Sequence, residues 1–162
     1  MRILTLRRPW ATLLVTPGPN RKDIENRSRN IAGDYRGPIA IHSGHEIDRK
    51  ARIPGATAPI REDISAAFPA GAIIGTVDLI DVHIGGAGNN RCYPLQSPAS
   101  FDRCSPWALA DCYHLVTANP RPLATPIPYR GFLGLRDLPG DIIEQINATP
   151  TWTPDLTAGV HP

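Results

Sequence analysis

Chemistry concentrates early in this sequence. Leu6-Arg7-Arg8-Pro9-Trp10-Ala11 is followed one loop later by Arg21-Lys22-Asp23-Ile24-Glu25-Asn26-Arg27. Lys22 and Arg27 are of the types that hold a phosphate, the arginine through a planar two-point contact. Glu25 could accept a hydrogen bond from the amino group of a base edge, or act as a general base. The plainer alternative is a surface ion-pair ladder, which contributes at most about 1 kcal/mol. Trp10 and Trp107 could stack on bases, a contact that contributes about 1–3 kcal/mol per base in single-stranded nucleic acid. Trp10 also shares a helical face with Leu13 and Leu14, which suits a core position. His42-Ser43 invites a nucleophile reading. Neighbouring strand residues face opposite ways, however, so His42 is expected to serve as a satisfied strand-end histidine or as a hydrogen-bonder in a pocket.

Cys92, Cys104, Cys112 and His114 could form a zinc site, with His83 upstream, but the tight Cys-x-x-Cys knuckle is absent. Alternation puts Cys112 and His114 on one strand face, where packing alone would explain them. The expectation is no metal and no cofactor. Three cysteines cannot all pair within one chain, which fits a reducing compartment.

The elements that must position these groups are short. Eighteen prolines and fourteen glycines among 162 residues argue against a long-helix bundle. The alternation of residues 2–6 predicts a strand, and Pro9 sits well in the first turn of a helix that Pro17-Gly18-Pro19 ends. Residues 24–30 are expected to be extended, with Glu25, Arg27 and Arg29 on one face. A turn at Tyr35–Pro38 leads into a buried strand at 39–42. Residues 46–52 are polar and suit a helix. A second short helix is expected at 61–68. Residues 72–84 are the strongest strand, apolar on both faces and hence central, with Gly75 marking a bulge or a close backbone approach. A turn-rich insert covers 85–105, and its glycines do not follow a strand-to-helix phosphate pattern. Strands at 113–117 and 132–135 and a helix at 139–148 follow. Residues 149–162 are expected to be a loose Thr/Pro-rich tail, leaving one domain over 1–148. This order predicts a small, mainly antiparallel α+β barrel with an early helix and peripheral helices.

Net charge is only +2, far from that of a dedicated nucleic-acid binder. Residues 1–52 nevertheless hold eleven Lys/Arg against five Asp/Glu, and residues 53–162 hold six against ten. The basic half could meet phosphates. No apolar run approaches a membrane span, and residues 1–8 do not read as a signal peptide. The expected location is cytoplasmic, without a membrane partner.

Several stretches together resemble the ASCH domain, the family named for homology to activating signal cointegrator-1, which is itself similar to the PUA domains of RNA-modifying enzymes. Leu6–Ala11 resembles the family's opening, with Arg8 where a Gln usually precedes Pro-Trp-Ala. Lys22-Asp23-Ile24-Glu25-Asn26-Arg27 matches Lys-x-x-Glu-x-Arg. Tyr35-Arg36-Gly37-Pro38 through His42, Gly75-Thr76-Val77-Asp78, Ser105-Pro106-Trp107-Ala108 and Tyr129–Leu135 match in order over about residues 3–138. Arg136 stands where a tryptophan often follows the last Gly-Leu. The resemblance implies a PUA-like β-barrel with a basic cleft beside the early helix. Arg8, Trp10, Lys22, Glu25, Arg27, Arg36, His42 and Trp107 are its binding residues, and RNA, another nucleic acid or a nucleotide is its ligand. It also implies a possible hydrolase. Amidohydrolase-like relatives that act on acetylated cytidine combine a lysine, a threonine three positions on, and a glutamate on the central strand; a ribonuclease activity is also attached to the family. Here the candidates would be Lys22, Glu25 and Asp78, but Glu25 replaces the hydroxyl and Ser28, the nearest one, lies on the wrong alternation. A third reading is a protein-interaction adaptor that uses the 85–105 loop.

Overall fold

A computed structural model of the protein describes residues 1–19, 21–57, 60, 69–97 and 99–152. They form a mixed α/β structure built on one mostly antiparallel eight-stranded sheet. In chain order the elements are β1 (Arg2–Arg8), α1 (Trp10–Val15), β2 (Ile24–Arg27), β3 (Gly37–Ile47), β4 (Ala72–Gly85), β5 (Arg91–Pro94), β6 (Phe101–Asp102), β7 (Tyr113–Pro128), β8 (Leu135–Asp137) and α2 (Gly140–Ala148). The pairing order is β2-β7-β4-β3-β1-β8, with β5 added to the far end of β4 and β6 to β5. β1 and β3 run parallel, with α1 in the connection between them. No pairing joins β2 to β8 among the described residues, so the pairing defines an open sheet.

Alternation along the strands divides the core in two. Leu4, Leu6, Ile39, Ile41, Ile74 and Val77 pack with Leu14 and Val15 of α1. Ile3, Ala40, Ile73, Leu123 and Ile127 pack with Ile142, Ile143 and Ile146 of α2. β4 is central, as its apolar faces require. Gly75 sits at register shifts on both sides of β4. A Cβ there would lie 2.8 Å from the Arg121 carbonyl oxygen and 2.9 Å from Val15 Cβ, so both parts of the expectation hold.

Several local expectations are corrected. Residues 46–52 are not helical: β3 runs to Ile47, and the Asp48 carboxylate accepts the Lys50 amide at 3.0 Å and turns the chain. β2 ends at Arg27, so Arg29 lies outside the strand, exposed. The 85–105 insert is partly a hairpin of β5 and β6. β7 continues far past Thr117. β2 pairs only with Tyr113–Val116, and farther along β7 residues 150–152 bridge Pro122–Ala124, where Pro122 needs only to accept and its missing N–H is tolerated. The last strand starts at Leu135, because Gly134 takes a positive φ of 75° before it. Residues 149–152 are not loose: Ala124 donates to the Pro150 carbonyl, Trp152 donates to the Pro122 carbonyl, and the Trp152 ring packs on the core. The helix expected at 61–68 and the tail from 153 lie outside the described residues. Among the described residues no helix is long and apolar enough to cross a membrane.

Candidate functional site

The segment from Arg21 to Arg27 is held from both sides. The Lys22 amide donates to the Leu13 carbonyl of α1 at 2.9 Å, and the Thr117 amide donates to the Asp23 carbonyl at 2.8 Å. β2 then pairs with β7, placing Glu25 opposite Leu115 and Arg27 opposite Tyr113. Glu25 and Arg27, two residues apart on the strand, face the same way. Lys22 and Glu25 are both buried, at 4% and 9% exposure. The Lys22 ammonium donates to Glu25 Oε2 at 2.7 Å and to the Ile24 carbonyl. Arg27 Nε lies 3.2 Å from Glu25 Oε1. Both oxygens of Glu25 are therefore engaged by cations.

This trio lies in a cleft of about 730 Å³. Trp10 and Trp107 line the cleft edge to face, with ring centroids 6.2 Å apart and planes at 86°. Trp10 is half-buried: its ring packs on the core, its indole N–H donates to Asp48 Oδ2 at 3.1 Å, and the Lys22 ammonium lies 5.8 Å from its centroid. Trp10 thus packs on the core, as its helical face suggested, and also lines the cleft. Trp107 belongs to a loop stitched to the Arg21–Arg27 segment. Its indole donates to the Arg21 carbonyl at 2.9 Å, its carbonyl accepts Asn26 Nδ2 at 2.9 Å, and Asn26 Oδ1 accepts the Leu109 amide at 3.0 Å. Ser105 Oγ donates to Asp23 and accepts the Trp107 amide. Among the described residues the cleft carries five cationic side chains, Arg7, Lys22, Arg27, Arg52 and Arg103, against two carboxylates, Glu25 and Asp48. This balance favours an anionic ligand.

Of the residues singled out from sequence, the structure brings Trp10, Lys22, Glu25, Arg27 and Trp107 together. Arg8 does not line the cleft; its guanidinium donates to the His45 carbonyl at 3.0 Å, and its neighbour Arg7 takes the lining position. Arg36 is exposed and spends its donors on the Gly33 and Tyr35 carbonyls. Asp78 accepts from Asn119 at 2.8 Å and is not a lining residue, so Lys22, Glu25 and Asp78 do not converge. His42 is buried, with Nε2 2.9 Å from the Tyr129 carbonyl. Burial pushes its pKa down, only partly offset by that hydrogen bond. Asn26, Arg7, Arg52 and Arg103 join the site without having been singled out.

A second cluster lies where β4, β5 and β7 meet. His83, Cys92, Cys104 and His114 bring their ligand atoms together, and Cys112 is not among them. Asp111, with φ of +53°, turns the chain just before Cys112, so strand alternation does not reach back from His114 to it. Burial and then the neighbouring Cys92 thiol push the Cys104 thiol up to about 12. Burial also lowers the pKa of His114.

Comparison of the chain with protein-family models and with curated proteins finds no match.

Proposed function

We propose that this chain is an ASCH-type module with a PUA-like barrel, whose cleft binds a nucleotide unit of single-stranded RNA. The observation that carries the reading is the Trp10–Trp107 pair beside a buried Lys22–Glu25–Arg27 group in one cationic cleft. A cleft of about 730 Å³ falls in the range of small-ligand sites, about 300–1,000 Å³. An aromatic face offers stacking to any base, and the arginines on the rim offer phosphate contacts. The Lys22–Arg27 motif and the order of the other matched stretches support the ASCH reading, and that resemblance favours RNA over DNA.

Binding is better supported than hydrolysis. Both Glu25 oxygens already face cations, Asp78 lies elsewhere, and no hydroxyl occupies the position where the amidohydrolase-like relatives place theirs.

Fluorescence anisotropy with labelled single-stranded RNA and DNA at low salt tests the proposal. Trp107→Ala is expected to weaken RNA binding about 5- to 150-fold, the equivalent of about 1–3 kcal/mol of lost stacking. Arg7→Ala with Arg27→Ala is expected to flatten the dependence of log K on log salt by about 0.7 per lost phosphate contact. Thermal melting of each variant shows whether it still folds. Absence of binding at low salt, or binding indifferent to these changes in folded variants, would overturn the proposal.

A further inference from the structure

We propose that His83, Cys92, Cys104 and His114 form a closed, tetrahedral zinc site that fixes one wall of the cleft. The four donor atoms lie within 4.8 Å of one another. Zinc bonds of about 2.3 Å to sulfur and about 2.0–2.1 Å to nitrogen, at tetrahedral angles, require N···S edges of about 3.5–3.6 Å. His114 Nδ1 lies 3.6 Å from Cys92 Sγ and 3.4 Å from Cys104 Sγ.

The tautomers support the same site. His114 Nε2 lies 2.7 Å from the Leu109 carbonyl oxygen, which can only accept a hydrogen bond, so the proton is on Nε2 and the Nδ1 lone pair faces the two sulfurs. His83 Nδ1 lies 2.7 Å from Asp81 Oδ2, and its Nε2 is buried without a partner among the described residues. A ring that donates one N–H to an oxygen and turns the other nitrogen inward is the usual support of a metal-bound histidine. The rings meet edge to face, with centroids 5.1 Å apart, and the two residues are register partners across β4 and β7. Gly85 makes room for this: a Cβ there would lie 2.7 Å from His114 Cε1 and 2.5 Å from the Leu109 oxygen. His83, Cys92 and His114 are each at most 2% exposed.

Two soft sulfurs and two imidazoles suit Zn²⁺, and four protein ligands leave no open position, so the role is structural. The consequence reaches the cleft. The segment between β4 and β7 would be tied to the sheet at Cys92 and Cys104. That segment carries Arg103, Trp107 and Leu109 of the cleft, and the Leu109 carbonyl is the oxygen that orients His114.

The full chain, purified under reducing conditions without chelator, is expected to carry one zinc per chain by elemental analysis and native mass spectrometry. Cobalt taken up by the stripped protein is expected to show tetrahedral visible bands and thiolate-to-cobalt charge transfer. Cys104→Ser and His83→Gln are expected to lose the metal at least tenfold more readily to a chelator, whereas Cys112→Ser retains it. Stripping is expected to change tryptophan emission, and added zinc to restore it. Three results would each overturn the proposal: a folded wild-type chain that takes up neither zinc nor cobalt; a Cys92–Cys104 disulfide in the reduced preparation; or metal retained alike in Cys104→Ser and His83→Gln. The wild-type stoichiometry decides the matter even if a variant fails to fold, and it is independent of any nucleic-acid binding.

Discussion

Replacing Lys22 with methionine removes the charge at the centre of the cleft floor but keeps a side chain of similar length. The Lys22 and Glu25 side chains are only 5% and 11% exposed, and their charged atoms are 2.7 Å apart. Removing one partner from such a pair costs about 3–5 kcal/mol, because the other charge stays buried. Arg27 still reaches the second Glu25 oxygen at 3.2 Å, which places the loss at the low end, about 3 kcal/mol. For a chain of this size, with about 2–4 °C of Tm per kcal/mol, this corresponds to a drop of about 6–12 °C. Combining Lys22→Met with Glu25→Gln leaves no uncompensated carboxylate. The double variant is therefore expected to be about 1–2 kcal/mol more stable than the sum of the single losses implies. Urea denaturation of the four proteins, read as a double-mutant cycle, measures this coupling. A Lys22→Met variant within about 1 kcal/mol of wild type would refute a buried pair, as would single losses that add to within about 0.5 kcal/mol.

Three further outcomes follow from the packing. Gly75→Ala is expected to cost about 1–3 kcal/mol in a thermal melt, because the new Cβ meets the Arg121 carbonyl and Val15 rather than a flexible side-chain end. His42 has its pKa lowered by burial, so the unfolded chain binds the proton more readily. Stability is then expected to fall as pH drops from the unfolded value near 6.5 toward the lower folded one, and His42→Gln is expected to show a shallower slope in pH-dependent denaturation. Gly85→Ala is expected to lose zinc faster to a chelator than wild type, because its Cβ meets His114 and the Leu109 carbonyl oxygen.

The legible parts of this molecule are those governed by local rules. The alternation of 25 and 27 put Glu25 and Arg27 on one face, and Gly75 in an apolar strand predicted a bulge or a close backbone approach. Pro9 before Trp10 predicted α1. Parts set by tertiary contacts were not legible. Arg103 and Asn26 enter the site because the Trp107 loop folds back on β2 through hydrogen bonds between residues more than eighty positions apart. The His83–His114 contact depends on the register of β4 against β7, and no ligand spacing in the sequence reveals it. Asp48 was hidden by its polar surroundings, which suited a helix. Its side chain instead makes a turn and holds the Trp10 indole.

The most direct test of the cleft is an ¹⁵N NMR titration of the three indole N–H groups with a short single-stranded RNA. Trp10 and Trp107 line the cleft, with their indoles donating to Asp48 and to the Arg21 carbonyl, whereas Trp152 packs on the core and is not a lining residue. Saturable shifts of the Trp10 and Trp107 indoles, with Trp152 unmoved, are the predicted result. Binding that shifts Trp152 alone, or that leaves both cleft indoles in place, would contradict the account.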